Sequence, residues 1–453
     1  MRRCPPAPAL FALIGVSLLI AACSGGGGEN PVPSAPTITQ FAADRPTYFV
    51  GERATISIAF ANGTGRVEPG NQQVTSGQTI TTPPLTMDQP YRLTVTDGTA
   101  TVSRDLNLPV SYRDRIRAIA APFARAEHAA LTLPDGRVLI VGGDGNESAF
   151  PSSMYVFDPT NETFTEFGSM SSGRVAFIAA SLPNGDVLIS GGNIALLSAP
   201  RAEIIDAATG AVRPTANSPV RRRAYAAATS LHDGRVLITG GLGSGMEASV
   251  EIFDPVTATF SLQAGGLQVA RSAHTAVNID ERRVLIYGGL SNDGVSPAAP
   301  EIYDPITSTS TLLTPPEPGV RMRHVAHTMP DGGVLIIGGE DFDGQPLTSV
   351  LRFDPAAGTF SALMNLATPR VGVGVGRLSD ARVVAIGGVT GLSSADVTAT
   401  SELITAPAQR RDGPNMNIAR QAHTVTPLSN GRLLIVGGVG ADRQALASAE
   451  IYE

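Results

Sequence analysis

The sequence predicts an all-β chain in two parts, a small β-sandwich followed by a closed ring of seven repeated four-stranded units. Three observations carry this reading. A glycine pair ends an apolar run seven times, at Gly142-Gly143, Gly191-Gly192, Gly240-Gly241, Gly288-Gly289, Gly338-Gly339, Gly387-Gly388 and Gly437-Gly438, at spacings of 48 to 50 residues. An arginine stands seventeen residues before each pair: Arg125, Arg174, Arg223, Arg271, Arg321, Arg370 and Arg420. Ahead of the repeats, residues 37–112 alternate apolar and polar side chains, as in Ala54-Thr55-Ile56-Ser57-Ile58-Ala59-Phe60, the period-2 pattern of half-buried strands.

The first 22 residues read as a signal peptide. Arg2 and Arg3 precede a run of 12 residues, Ala9 to Ile20, that is apolar but for Gly15 and Ser17, too short to span ~30 Å of hydrocarbon. Ile20-Ala21-Ala22-Cys23 resembles a bacterial lipobox. The resemblance implies cleavage before Cys23 and lipidation of its thiol; the alternative is an ordinary secretory signal cut nearby. Ser24 after the cysteine implies outer-membrane sorting in the same comparison. Residues 23–36, with four consecutive glycines and then Pro31-Val32-Pro33, form a tether that is flexible first and stiffer after. Cys4 and Cys23 are the two cysteines of the 453-residue chain, which excludes a disulfide framework or thiol chemistry in the folded body. Without Arg2 and Arg3 the chain carries 31 basic residues against 40 acidic ones, and that balance argues against nucleic acid as a partner.

Residues 37–112 are punctuated by Asn62-Gly63 and Asp97-Gly98 and form the sandwich. Ile38-Thr39-Gln40-Phe41 and Tyr91-Arg92-Leu93-Thr94-Val95 resemble bacterial Ig-like modules, which implies a spacer.

Residues 113–453 hold the repeats. A small-residue strand follows each arginine, and a two-residue turn such as Asp135-Gly136 or Asn430-Gly431 ends it, the pairs that favour a tight hairpin because both residues tolerate φ > 0. Units four and six depart, with Glu281-Arg282 and Asp380-Ala381. The second strand is apolar throughout, as in Val334-Leu335-Ile336-Ile337, so both its faces are covered. A third strand closes on an aromatic and a turn, as at Phe253-Asp254-Pro255, and a fourth follows, as at Thr359-Phe360-Ser361. Four strands per ~49 residues with a glycine pair after the second is the kelch pattern. The resemblance covers residues 125–453 and implies a seven-bladed β-propeller of the galactose-oxidase-like kind. Tryptophan, usual on the fourth strand of such units, is absent; Phe164, Val212, Phe260, Ser310, Phe360 and Arg411 stand there, so blades two, four and six are expected to pack more thinly outside. The last unit stops at Glu453 before a fourth strand, and residues 113–120 are expected to supply it.

The seven arginines are the candidate ligand-binding set. Placed around one channel mouth they would capture an anion, a carboxylate or an acidic peptide, by bidentate contacts. Alternatively they serve the scaffold, with Glu203, Glu251, Glu301, Glu402 and Glu450 as partners; Tyr155 and Leu351 replace that glutamate in units one and five. His128, His274, His324 and His423 recur three residues after the arginine, each in a different unit, and read as packing groups rather than a metal site. Asp341-Phe342-Asp343-Gly344 and Asp144-Gly145-Asn146-Glu147 lack the spacing of a full calcium loop. A copper radical oxidase of the kind the resemblance brings to mind needs a Tyr–Cys crosslink, which the mature chain cannot form. No catalytic set, cofactor or metal is assigned. The expected protein is a monomeric outer-membrane lipoprotein of the bacterial envelope, membrane-bound through its N-terminal lipid, whose propeller binds an unknown protein or anionic ligand. The alternative is a periplasmic epimerase or mutarotase acting on an acidic sugar.

Overall fold

The computed structural model describes residues 34–147, 149–193, 201–291, 299–316, 320–393, 395–405 and 408–453; the signal peptide, Cys23 and most of the tether lie outside them. Two facing sheets make the N-terminal sandwich. One has the order Thr37–Ala43, Thr55–Ala61, Thr79–Thr81, and the other Gln72–Val74, Thr64–Glu68, Gln89–Thr96, Thr101–Leu108. Alternate residues point inward, so Ile56, Ile58 and Ile80 of the first meet Val67, Leu93 and Val95 of the second in one core.

Seven four-stranded antiparallel sheets follow, and their first strands touch one another in a closed ring. Blade three shows the unit: Ala227–Ser230, Val236–Thr239, Val250–Asp254 and Thr259–Leu262. Its second strand is buried at every residue, because a neighbouring blade covers each face. Asp254 closes the outer hairpin by accepting from the Val256 N–H at 2.8 Å.

The glycine pair has a specific task. Gly240 and Gly241 both sit at positive φ, +57° and +104°. A Cβ on Gly240 would lie 2.5 Å from the Arg271 carbonyl oxygen of the next blade, so only glycine fits. That close approach lets the second glycine donate its N–H across the junction. Gly241 bonds the Arg271 carbonyl at 2.8 Å, and Gly438 of the last blade bonds Arg125 of the first at 2.7 Å. All seven junctions carry this bond. The constant spacing of the arginine position and the glycine pair thus reflects an inter-blade contact made through the backbone carbonyl at the arginine.

Outer-edge packing follows the aromatics. Phe164 on Phe157, Phe260 on Phe253 and Phe360 on Phe353 lie 4.7–4.9 Å apart between ring centroids, whereas Val212 and Ser310 face Ile205 and Tyr303. Blade six needs a correction: Arg410, not Arg411, faces Ile404. Its outer turn, Thr405 to Gln409, is one residue shorter than the Asp354 to Thr359 turn of blade five, which slips the register by one.

The ring closes with Ile116–Ala120 as the outermost strand of blade seven, paired antiparallel to Ser448–Tyr452. Side chains reinforce the pairing. Tyr452 Oη donates to Asp114 at 2.7 Å, and Arg115 Nε meets Glu453 at 2.7 Å. Arg382 and Arg411 hold the same Asp114 and keep its carboxyl below the usual carboxylate range against the opposing effect of burial.

The sandwich rests on the short-turn face of the propeller. Tyr112 Oη donates to the Gly431 carbonyl at 2.6 Å in the first hairpin turn of blade seven. The Ser379 N–H of blade six donates to Tyr112 Oη at 2.9 Å. Val50 and Tyr112 share a core with Leu378 and Leu433. The described segments that follow the glycine pairs, such as residues 242–249 of blade three, lie at the opposite face.

Candidate functional site

The seven arginines precede the first strands, and their side chains run into the blades instead of lining a channel mouth. All are buried, with Arg174, Arg271, Arg370 and Arg420 wholly inaccessible. Five reach the third-strand glutamate of their own blade: Arg174–Glu203 at 3.4 Å, Arg223–Glu251 at 2.7 Å, Arg271–Glu301 at 2.6 Å, Arg370–Glu402 at 3.0 Å and Arg420–Glu450 at 2.7 Å. The expectation of a seven-cation mouth is corrected accordingly. The arginines' recurrence reflects a repeated internal clamp, whose Nη1 in blades three to seven also donates to the carbonyl of the first glycine of the pair. Several free arginines around one pocket, the arrangement an acidic-sugar epimerase would call for, is not what these residues form.

The glutamate has a second duty that sequence spacing did not reveal. Glu301 accepts the Gln268 and Val269 N–H groups at 2.7 and 3.0 Å; Glu251, Glu402 and Glu450 receive the equivalent pairs. Each carboxylate therefore pins the segment that enters the blade as well as the arginine.

Blades one and five differ. Leu351 stands opposite Ile336 where the glutamate would be, and Arg321 instead bonds the Gly338 carbonyl at 2.8 Å and the Ser349 carbonyl at 3.2 Å. In blade one Tyr155 stands opposite Ile140. Arg125 bonds the Ser153 carbonyl at 3.0 Å and Oγ at 2.7 Å. Among the described residues no carboxylate comes within ion-pair distance of it.

His128, His274, His324 and His423 are buried in four different blades and reach back to the preceding one. The Nε2 atoms of His128, His274 and His324 lie 2.9–3.0 Å from the hydroxyls of Thr424, Thr239 and Thr275. His274 Cε1 lies 2.6 Å from where a Gly240 Cβ would be, so these rings fill the space the glycines leave. Burial, aided by the neighbouring arginines, pushes the His128, His324 and His423 imidazoles down from 6.5 to about 3 and His274 well below its ordinary value. The unfolded chain binds these protons near pH 6.5, whereas the folded chain binds those of His128, His324 and His423 only near pH 3 and that of His274 well below 6.5. Stability is therefore full above that upper value and falls with acid through the window, by up to about 1.4 kcal/mol per pH unit for each histidine. Urea midpoints at about pH 7 and about pH 5 check this; a drop equal in parent and His274→Gln would remove His274 from the account.

The channel mouth on the face opposite the sandwich is built two residues after each arginine. Glu127, Ala176, Tyr225, Ala273, Arg323, Gly372 and Ala422 all adopt left-handed backbone, with φ between +51° and +59°. Their amides link blade to blade, as in Glu127 N–H to the Ala422 carbonyl at 3.1 Å and Ala273 N–H to the Tyr225 carbonyl at 2.9 Å. Glu127, Tyr225 and Arg323 are exposed there, and Arg323 donates to Gln421 of blade seven at 3.3 Å. Sequence reasoning missed this ring, since alanine does not advertise a left-handed conformation; the constant offset from the arginine was the available signal.

No three histidine, cysteine, aspartate or glutamate side chains converge as a metal site among the described residues. Asp341 Oδ1 is occupied by the Asp343 and Gln345 N–H groups at 3.0 and 2.8 Å. Asn146 clamps Ala445 of blade seven through two hydrogen bonds.

Comparison with known proteins agrees with this architecture. Residues 125–171, the first blade and the entry to the second, match the Kelch motif. No curated protein matched the sequence. Among solved structures, a fungal alcohol oxidase of the AA5 family, determined in complex with copper, superposes with a TM-score of 0.63 at 15% identity, over 74% of this chain and 75% of that one. Identity at that level speaks for fold alone. Among the described residues no donor set gathers to hold a copper ion, and the four buried histidines are dispersed among blades. The chain is a β-propeller of kelch, galactose-oxidase-like fold, with a Kelch motif over its first blade.

Proposed function

We propose that this protein is a binding or scaffold propeller held at the bacterial cell envelope by a lipid on Cys23, with the sandwich as spacer. The observation that carries the reading is the division of the two faces. The sandwich occupies the short-turn face through Tyr112, Val50 and Ser379, and the other face keeps its mouth residues Glu127, Tyr225 and Arg323 at the surface. A tether leading into the sandwich would hold that free face away from the membrane. Interfaces favour such a mixture of tyrosine and arginine.

Cys23→Ala is expected to release the protein from membranes, as measured by fractionation in high salt; retention as tight as the parent's sinks the anchor. A photocrosslinking residue at Tyr225 is expected to give discrete adducts in cells, and one at Val256, 91% exposed on the opposite face, none. Adducts of equal yield at both positions would sink the assignment of the free face.

A further inference from the structure

Blade one departs from the repeat in one coherent way. Five blades neutralise the buried arginine with a glutamate on the third strand, and blade one puts Tyr155 at that register. The departure extends to the entering segment. Where other blades offer two N–H groups to the glutamate, blade one has Pro122 and Phe123, and proline has no N–H to offer. Arg125 is left 2% exposed, with Nη2 on Ser153, and with Nε and Nη1 making no hydrogen bond among the described residues. A cavity of 470 Å³ opens beside it, bounded by Phe123, Asn146, Glu147, Ser153 and Tyr155. Phe123 and Tyr155, stacked on each other with ring centroids 4.4 Å apart, line one side of it, and Asn146 fixes the loop rim to blade seven.

We propose that this cavity binds a carboxylate borne on a six-membered ring, the carboxylate taking on Arg125 the place that the third-strand glutamate takes in five of the other blades. A buried guanidinium whose nearby acid, Glu147, acts on it through space without forming an ion pair is costly, and an anionic ligand removes that cost with charge-assisted hydrogen bonds. The aromatic wall accepts the face of the ring, and Ser153, Asn146 and Glu147 stand where hydroxyls on its rim can bond. Aromatic acids and uronic acids share this chemistry. The inference rests on the reading of the propeller as a binding module and gives that module a ligand class.

The test is calorimetric titration of the full-length protein in detergent with benzoate and, separately, D-glucuronate, with inorganic phosphate as control. One molecule is expected to bind per chain; benzoate alone assigns an aromatic acid, glucuronate alone a sugar acid, and both the shared carboxylate chemistry. Tyr155→Glu restores the glutamate of the other blades and is expected to abolish binding with the melting temperature held or raised. Arg125→Gln strands no acid, and is expected to fold and to bind at least about tenfold more weakly. If Tyr155→Glu does not fold, Arg125→Gln decides alone. Binding of neither acid by the parent at ~10 mM overturns the proposal, as do phosphate binding equal to the acids' and binding unchanged in Arg125→Gln. Membrane release and crosslinking at the free face report on the module itself, so failure there is separable from failure here.

Discussion

Arg271→Ala is expected to destabilise the propeller by roughly 3–5 kcal/mol, the range for removing one partner of a buried ion pair. Arg271 and Glu301 are both wholly inaccessible, 2.6 Å apart. Losing the arginine leaves the carboxylate with the Gln268 and Val269 N–H groups but no countercharge. It also removes the donor to the Gly288 carbonyl at 3.1 Å, beside the glycine that bonds the next blade. Chemical denaturation of Arg271→Ala beside Arg125→Ala gives the decisive contrast. Arg125 strands no acid, so its loss is expected to cost only the hydrogen bonds to Ser153, about 1–2 kcal/mol. Equal losses would mean that the glutamates are not what makes the arginine clamp costly to break.

Removing residues 1–120 is expected to leave an aggregation-prone chain, whereas removing only residues 24–105 leaves a soluble propeller. The longer deletion takes away Ile116–Ala120 and exposes Ser448–Tyr452 as an unpaired edge, the kind of edge that recruits other strands. It also removes Asp114, the acceptor for the buried Tyr452 hydroxyl, and Arg115 and Arg117, which hold Glu453. The shorter deletion keeps all of these and costs chiefly the contact of Val50 with the propeller. Solubility and thermal unfolding of the two chains compare them directly; indistinguishable behaviour would show that the N-terminal strand does not hold the ring closed.

Local chemistry made much of the architecture legible from the chain alone. Hairpin pairs such as Asp135-Gly136, apolar second strands such as Val334 to Ile337 and the Asp-Pro outer turns each act within a few residues, so they stand in the sequence as plainly as in the fold. Their sevenfold register determined the number of blades. Only tertiary structure decided where the arginines point, because Arg271 and Glu301 are thirty residues apart and become partners only once the third strand has folded back beside the second. The same holds for the left-handed mouth residues, whose conformation is imposed by bonds to neighbouring blades, and for the blade-six register, set by one missing turn residue. Blade one shows the two levels together. The sequence marked Tyr155 as the odd residue, and only packing turned that oddity into a cavity beside a cation that has no ion pair among the described residues, since a charge missing from a strand has consequences only where burial keeps water from replacing it.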